Sequence, residues 1–227
     1  MGNGRIFSLE MSKPEIMKRM ISSTACVDAH WIQSGYLAED NWDRINRATA
    51  GISASPIFVD DSANLTIFQV RAIAQKLALE HGIDLLIVDY LQFVSGSGCR
   101  CENRTQEVTE ITCGLKHRAK ELGVLVIAVS QLNRELERRA GSRRPKLSDL
   151  RESGAIEQDT DLVPFISLDE MDDPIGGDGT VDITIAKQKN GSTGSTKVTF
   201  QKRFTKLSIL RRLNSKNQAD QGGILPR

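Results

Sequence analysis

Three polar side chains, Glu10, Asp89 and Gln131, each come shortly after an apolar segment that predicts a β-strand or directly end it. The carboxyl ends of parallel strands form the rim at which α/β proteins bind ligands. A carboxylate at this rim can hold Mg²⁺ directly or through water, or can polarise an attacking water as a general base. An amide there can sense a phosphate or position water. These residue types therefore suit nucleotide hydrolysis.

Each of the three residues also has a structural interpretation. Asp89 can cap the turn after its strand, Glu10 can support the cap of the next helix, and Gln131 can hydrogen bond to a loop. For the apolar run ending at Asp89, the two interpretations are balanced, and for Glu10 alone the structural one is favoured. Polar residues at several strand ends together favour the nucleotide site.

The strands that position these residues are predicted to form one parallel sheet. Apolar segments predict strands at residues 5–9, 56–59, 85–88 and 124–129. The run at 85–88 has no polar residue, which is typical of a strand covered by helices on both faces. The alternation of strands and helices predicts an α/β fold with right-handed crossovers.

Capping motifs and apolar periodicity predict the helices between these strands. Ser12 and Thr66 each begin a capping box, and the helices that they open are expected to reach about Ala25 and Glu80. A longer helix is predicted over residues 103–122, where apolar side chains recur every three or four residues.

The later part of the sequence has an antiparallel pattern. Segments 181–186, 197–201 and 206–210 predict strands of antiparallel hairpins. Pro164 lies within another predicted strand, 162–166. It predicts a sheet edge or a bulge there because proline lacks the backbone donor that a ladder needs.

Composition fits a globular domain. The 227 residues are 39% hydrophobic and 26% charged, with a formal net charge of +1. This charge excludes a globally basic nucleic-acid binder but leaves a local basic patch open. We predict one domain over residues 1–212 and a disordered polar tail over residues 213–227. No segment approaches a membrane span and no secretory apolar region is evident, so we predict a cytoplasmic protein without a membrane partner.

Four cysteines are present, and reduced thiols are expected in a chain without an export signal. Cys99, Cys101, Cys113 and His117 have the residue types of a zinc site. Their first spacing is tighter than zinc sites normally use, so unrelated loop and helix residues are the favoured interpretation.

Residues 134–151 form a basic segment that is poor in apolar side chains. Its cations are Arg134, Arg138, Arg139, Arg143, Arg144, Lys146 and Arg151. Its acidic residues are Glu135, Glu137 and Asp149. A solvated loop and a contact with a nucleic-acid backbone are both open interpretations. The absence of interleaved aromatic residues argues against a base-stacking platform.

Five motifs occur in one order along the chain. They are F-S-L-E-M-S at 7–12, I-V-D-Y-L-Q at 87–92, S-Q-L at 130–132, S-D-L-R-E-S-G-A-I-E-Q at 148–158 and I-A-K-Q-K-N-G at 185–191. Each is weak alone. Together they closely resemble the C-terminal motor domain of bacterial replicative DNA helicases of the DnaB type, from about residue 5 to residue 212.

The resemblance implies a RecA-like, mostly parallel sheet with flanking helices and C-terminal antiparallel hairpins. It also implies a homo-oligomeric, hexameric ring in which ATP and Mg²⁺ bind between subunits. The resemblance further implies that hydrolysis drives 5′–3′ translocation on single-stranded DNA and duplex unwinding.

The family's functional residues carry over to matching positions of this sequence. Glu10 resembles the residue that orients the attacking water, and Asp89 resembles the Mg²⁺ carboxylate. Gln131 resembles the residue that couples the γ-phosphate to DNA. The remaining correspondences are a DNA-binding loop at Arg151, Glu152 and Gly154, and a pair reaching the neighbouring subunit's site at Lys187 and Lys189.

Two departures from the family pattern carry predictions. The sequence contains no G-x-x-x-x-G-K-[ST], so we expect a fold lacking the N-terminal phosphate-loop strand and helix, with unpaired strand edges and exposed apolar faces. We also expect ATP binding to be impaired and the chain alone to be inactive. The family's arginine finger is Lys189 here, and lysine lacks the planar fork that stabilises the transition state.

Three hypotheses remain open. The chain is an enzyme fragment whose phosphate loop is lost or lies on another chain, a non-catalytic module that binds single-stranded DNA or docks onto a helicase, or a truncated product without a stable fold.

Overall fold

The structure is a computed structural model that describes residues 3–97, 103–133, 136, 139, 144–150, 154–168 and 179–209. The strands are β1 (Gly4–Ser8), β2 (Ile57–Asp60), β3 (Leu85–Asp89), β4 (Leu125–Ala128), β5 (Leu162–Leu168), β6 (Gly179–Gln188), β7 (Gly194–Gln201) and β8 (Lys206–Ile209). The α-helices are α1 (Lys13–Ala25), α2 (Ala29–Ser34), α3 (Glu39–Ser53), α4 (Ile67–His81), α5 (Arg104–Leu122) and α6 (Gly154–Asp159).

The first sheet has the strand order β2-β1-β3-β4. All of its pairings are parallel, and Ile6 of β1 lies beside Val59 of β2 and Ile87 of β3. The prediction of a parallel α/β sheet is therefore confirmed. Among the described residues the outer edge of β4 pairs with no further strand, which agrees with the expected unpaired strand edge.

The capping boxes begin the helices that they predict. The backbone N–H of Ser12 donates to the Glu15 carboxylate at 2.9 Å, and that of Thr66 donates to the Gln69 side chain at 2.8 Å. These side chains satisfy backbone donors that a helix start leaves without partners. α1 ends at Ala25 as predicted, and α4 ends at His81, one residue beyond the prediction.

The main core lies between one face of the first sheet and helices α4 and α5, and it extends to the second sheet. Phe7, Leu86 and Val88 on the sheet and Ile111 on α5 are fully buried. Phe165 of β5 belongs to the same cluster. Burial of such side chains stabilises a fold by about 1.5–3 kcal/mol each, so this cluster fixes the positions of β1 and β3.

The prediction that the strand over residues 85–88 is covered by helices on both faces is wrong. Along β3, Leu86 and Val88 are buried, whereas Leu85 and Ile87 are only half-buried. On β4, Leu125 is 63% exposed and Ile127 is 45% exposed. The reason is that β4 is an edge strand and the main core covers one face of the sheet. Apolar residues of the sheet are therefore exposed on β4, as the sequence predicts.

The second sheet is antiparallel, with the order β5-β6-β7-β8. This confirms the predicted C-terminal hairpins, and the turn joining β6 to β7 contains Asn190 and Gly191. Pro164 lies on the edge strand β5, and the pairing of β5 with β6 shifts between Val163 and Pro164. The edge and the irregularity predicted from proline are both present.

Two further expectations concern the ends of the chain and membranes. The predicted tail, residues 213–227, lies outside the described residues. Among the helices of the described part of the chain, none is both long enough and apolar enough to cross a bilayer.

Candidate active site

The strands β1, β3 and β4 bring Glu10, Asp89 and Gln131 to one rim of the parallel sheet. Ser8, the last residue of β1, lies beside Asp89 in the register of β1 and β3. The backbone N–H of Leu9 donates to the carbonyl oxygen of Asp89 at 2.8 Å. Glu10 therefore lies one residue beyond a backbone bond to Asp89.

The end of β4 is fixed to the chain that follows Asp89. The backbone N–H of Leu91 donates to the carbonyl oxygen of Val129 at 2.9 Å, and the N–H of Val129 donates to the carbonyl oxygen of Val88 at 2.9 Å. Gln131 follows two residues after Val129 and is exposed. The sequence prediction that these polar residues share one rim therefore agrees with the strand order and register.

The turn that carries Glu10 is held by a buried serine. Ser8 is 1% exposed, and its hydroxyl donates to the carbonyl oxygen of Met11 at 2.7 Å and accepts from the Met11 N–H at 3.3 Å. Glu10 lies inside this turn with its side chain exposed. Ser8 thus directs Glu10 toward solvent at the rim. Sequence reasoning missed this role, although the position of a serine two residues before the carboxylate was a usable signal.

Gln92 joins the segment after Asp89 to the segment after β4. Its side-chain amide donates to the hydroxyl of Ser130 at 3.0 Å and to the carbonyl oxygen of Gln131 at 3.4 Å. Its side-chain oxygen accepts from the Gln131 N–H at 3.4 Å. Sequence reasoning did not assign Gln92 a role. It contacts the backbone of the predicted phosphate sensor, so it can transmit a movement of one segment to the other.

Arg104 and Glu107 of α5 hold the backbone at Gln92 and Gly96, which follow β3. The guanidinium of Arg104 donates to the carbonyl oxygen of Gln92 at 2.8 Å and pairs with Glu107. The Glu107 carboxylate also accepts from the Gly96 N–H at 2.9 Å. This backbone bond is the main cause that lowers the pKa of Glu107, and Arg104 adds to it against the opposing effect of burial.

The acidic residues at the end of β2 form ion pairs. Asp60 pairs with Arg5 of β1, and both side chains are nearly buried. Burial raises the pKa of Asp60, but hydrogen bonds from Ser62 and the charge of Arg5 outweigh it and leave the pKa below its ordinary value. Asp61 pairs with Lys13 at 3.3 Å, at a more exposed position. We therefore assign these four charged residues a structural role, which is to stabilise the rim through their ion pairs.

Lys187 and Lys189 lie in the second sheet or directly after it, apart from the three rim residues. The ammonium of Lys187 donates to the carbonyl oxygen of Glu157 in α6. The ammonium of Lys189 lies 3.4 Å from the carboxylate of Asp161, and its backbone N–H donates to the Asp161 carbonyl at 2.9 Å. Both lysines are therefore anchored next to α6, and their predicted action at a neighbouring subunit's site stays a prediction.

The predicted DNA-binding loop is described in part. Arg151 and Glu152 lie outside the described residues, whereas Gly154 begins α6. A Cβ atom added to Gly154 meets no atom of the described residues within 4 Å. Crowding among these residues therefore does not require a glycine at this position, and the predicted contact of this loop with DNA stays a prediction.

The acidic rim has the donor chemistry for one kind of metal. Mg²⁺ is usually bound by one or two protein carboxylates together with substrate phosphates, and Asp89 with the nearby Glu10 fits that pattern. Within the described ranges, no group of three or more His, Cys, Asp or Glu side chains could hold a metal by itself. Of the candidate zinc residues, Cys99 and Cys101 lie outside these ranges, and Cys113 contacts Asp159 at 3.3 Å.

Comparison with known families gives a match over almost the whole chain. Residues 2–208 match the family described as DnaB-like helicase C terminal domain. The chain is 38% identical over 222 residues to the replicative DNA helicase DnaC of Bacillus subtilis, covering 97% of this chain and 48% of that protein. It is 44% identical over 209 residues to the replicative DNA helicase DnaB of Mycobacterium leprae, covering 89% of this chain and 34% of that protein.

Solved structures give the same result. A DnaB-like replicative helicase, studied with its interactions with primase, has a TM-score of 0.85 and 32% identity, covering 92% of this chain and 51% of that chain. A second solved structure, of an ATPase domain, has the same score and identity and covers 92% of this chain and 75% of that chain. The chain thus spans about half the length, or less, of the curated relatives that it matches.

Proposed function

The chain belongs to the DnaB-like helicase C-terminal domain family, and from this premise we propose that it acts as the motor segment of a replicative DNA helicase. The observation that supports the proposal is that Glu10, Asp89 and Gln131 lie at or just beyond the ends of neighbouring parallel strands. In this proposal the segment couples ATP hydrolysis to 5′–3′ movement on single-stranded DNA, within a hexameric ring.

Each rim residue has one role in the proposed reaction. Asp89 holds Mg²⁺, which neutralises charge on the phosphates when it is bound. Glu10 orients the attacking water and accepts its proton, a role that suits an exposed carboxylate on a fixed turn. Gln131 senses whether the γ-phosphate is present and transmits this difference to the DNA-binding loop. Lys187 and Lys189 act at the neighbouring subunit's site.

Phosphate binding needs groups that the 227 residues do not supply in the usual form. The sequence has no G-x-x-x-x-G-K-[ST] loop, whose backbone N–H groups and lysine hold the phosphates in P-loop enzymes. We therefore propose that this segment hydrolyses ATP only together with a phosphate loop from outside these 227 residues. By itself it binds ATP weakly.

The test is ATP hydrolysis with Mg²⁺, with and without single-stranded DNA. The purified chain is assayed alone and mixed with a polypeptide that carries the phosphate-loop strand and helix. We expect no turnover alone, and turnover in the mixture that DNA stimulates and Asp89→Asn removes. Asp43→Asn, at an exposed position of α3, is the matched control and should keep full activity. Absence of turnover in the mixture would contradict a split enzyme.

A second candidate function is supported by the basic segment. A non-catalytic module would still bind single-stranded DNA through residues 134–154, where cations exceed acidic residues. Its test is DNA affinity as a function of salt. Binding that weakens with salt and with Arg151→Ala, but without hydrolysis in any mixture, would favour the module. Binding that is indifferent to Arg151→Ala would argue against it.

A further inference from the structure

Asp161, which lies between α6 and β5, pairs with two lysines from different parts of the fold. Its Oδ2 atom pairs with the ammonium of Lys116 on α5, and its Oδ1 atom lies 3.4 Å from the ammonium of Lys189. The backbones of Asp161 and Lys189 are also joined, because the Lys189 N–H donates to the Asp161 carbonyl oxygen at 2.9 Å. Asp161 therefore contacts Lys189 through both its side chain and its main chain.

The two lysines differ in how far they reach into solvent. The side chain of Lys116 is 23% exposed, whereas that of Lys189 is 64% exposed. Lys116 lies one helical turn after Thr112, whose hydroxyl donates to the carboxylate of Asp159 at 2.8 Å. Residues four apart lie on the same face of a helix, so one face of α5 holds Asp159 and Asp161 together. The carboxylate of Asp161 is thus fixed by α5, and Lys189 lies on its outer side.

The charges of this cluster leave Lys189 able to attract an anion. The hydrogen bond from Lys116 is the main cause that lowers the pKa of Asp161, and Lys189 adds to it against the opposing effect of burial. Two ammonium groups and one carboxylate carry one net positive charge, so Lys116 offsets the carboxylate and the charge of Lys189 is not cancelled. An ammonium also has three donors, and Lys189 can therefore bond to Asp161 and still donate to a phosphate oxygen.

Lysine benefits from such support because its side chain is flexible. Fixing a long side chain against a ligand costs conformational entropy. A contact that restricts the side chain before the ligand arrives lowers this cost at the binding step. The contacts of Asp161 with the backbone and the ammonium of Lys189 restrict both ends of that residue.

We propose that Asp161, held by Lys116, is a positioning residue that directs the ammonium of Lys189 toward the phosphates of the nucleotide at the neighbouring subunit's site. The inference rests on the proposed function, because it takes that site as the target of Lys189. Asp161 acts only through Lys189 and does not touch the nucleotide. Lys116 fixes the carboxylate of Asp161 and offsets its charge.

Charge alone and positioning predict opposite effects of Asp161→Asn on hydrolysis. The substitution removes a negative charge beside Lys189, so charge alone predicts a stronger attraction for phosphate and a faster reaction. Asparagine keeps the backbone bond to Lys189 but cannot form the ion pairs. If Asp161 positions Lys189, kcat falls by roughly tenfold, the effect of losing one hydrogen bond between charged groups.

The experiment is a double-mutant cycle of Asp161→Asn and Lys189→Met, measured as kcat for ATP hydrolysis in the complemented mixture with Mg²⁺ and single-stranded DNA. We expect Asp161→Asn to lower kcat in the original chain and to cause no further loss in Lys189→Met, because residues that act through one another are not additive. Loss by the same factor in both backgrounds would overturn the inference, since Asp161 would then act independently of Lys189.

Asp159→Asn is the matched control for this cycle. It makes the same change two residues earlier, and the Asp159 carboxylate contacts Thr112 and Cys113 of α5 rather than a lysine. Any effect of Asp159→Asn on kcat should therefore be the same with Lys189 and with Lys189→Met. A dependence on Lys189 as strong as that of Asp161→Asn would overturn a specific role of Asp161.

The pKa of the Asp161 carboxyl group provides a readout that needs no hydrolysis. Measured by carbon NMR on the full chain, this pKa should rise in both Lys116→Met and Lys189→Met, and more in Lys116→Met because that lysine is the main cause of its lowering. An unchanged pKa of Asp161 in Lys189→Met would overturn the inference. Normal kcat in Lys189→Met would overturn the role of Lys189 and the inference with it. Absence of turnover by the original chain in the mixture would instead overturn the proposed function itself.

Discussion

Ser8 and Asp89 lie side by side at the ends of two parallel strands, and the bond from Leu9 to the carbonyl oxygen of Asp89 extends their pairing by one residue. This relationship fixes the start of the turn that carries Glu10. The predicted water-orienting carboxylate and the predicted Mg²⁺ carboxylate thus share a backbone framework, and a change in either strand end alters their relative position.

The turn gives the first prediction. Ser8→Ala removes the hydroxyl that bonds both backbone groups of Met11. We expect a loss of about 1 kcal/mol in the free energy of unfolding, and a larger relative loss of hydrolysis because Glu10 is no longer held. Urea unfolding and ATP hydrolysis in the complemented mixture measure the two effects.

Ser22 is the matched control for Ser8. It is fully buried, and its hydroxyl donates to the carbonyl oxygen of Val27 at 2.7 Å in the smaller core cluster of α1 and α3. Ser22→Ala should cost a similar amount of stability without a specific effect on hydrolysis. Equal loss of hydrolysis in both variants would mean that Ser8 acts through stability alone.

The second prediction concerns the ion pair between Arg5 and Asp60. Asp60→Asn leaves the charge of Arg5 without its carboxylate, and the Nε atom of Arg5 is already buried without a partner among the described residues. Breaking a buried pair in this way costs about 3–5 kcal/mol. Asp61→Asn breaks the more exposed pair with Lys13 and should cost much less stability, because solvent screens an exposed pair. Urea unfolding of both variants makes the comparison.

The same pair predicts acid sensitivity. The folded-state pKa of Asp60 is lowered, so its ionised form stabilises the fold at pH values above the unfolded-state pKa of about 3.9. This contribution is lost as the pH falls from that value through the lowered folded-state pKa. The free energy of unfolding should fall less steeply with acid in Asp60→Asn. Identical slopes below about pH 4 would contradict the assignment.

The third prediction concerns Gln92. Gln92→Ala removes the side-chain bonds to Ser130 and Gln131 but keeps the backbone carbonyl that accepts from Arg104. We expect basal hydrolysis to change little and its stimulation by single-stranded DNA to fall, because Gln131 is no longer linked to the segment after Asp89. The ratio of rates with and without DNA measures this. A proportional fall of both rates would indicate a purely structural role.

The fourth prediction compares how much side chains on the two faces of the first sheet contribute to the free energy of unfolding. Leu86 is fully buried and Leu125 is 63% exposed. Leu86→Ala should therefore cost about 2–5 kcal/mol, and Leu125→Ala should stay within about 0.5 kcal/mol. Urea unfolding distinguishes them. An equal cost in both variants would mean that another surface covers β4 in solution.

Much of this arrangement could be predicted from the sequence because local chemistry determines it. The capping boxes at Ser12 and Thr66 and the apolar periodicity before Gly123 located the helices to within about one residue. Strand ends located the rim, because parallel strands share one carboxyl edge. Pro164 indicated an edge strand with an irregular pairing, and both are present.

Strand burial and ion-pair partners could not be predicted from the sequence, because contacts between distant parts of the chain determine them. An apolar run such as 85–88 does not indicate how many of its faces the rest of the chain covers, and only one is fully buried here. The partners of Arg139 and Arg144 were also unpredictable. Asp182 lies far from Arg144 in sequence, and the two meet because β6 of the second sheet lies beside Arg144.

The most direct test of the active site is the rate of ATP hydrolysis of Glu10→Gln in the complemented mixture at saturating ATP, Mg²⁺ and single-stranded DNA. Glu15→Gln is the matched control, because it removes the same charge nearby and glutamine preserves a capping box. We expect Glu10→Gln to lower the rate by at least about 100-fold, as loss of a general base does, and Glu15→Gln to retain it. A rate for Glu10→Gln within about tenfold of the original would contradict the assignment of Glu10 as the water-orienting carboxylate.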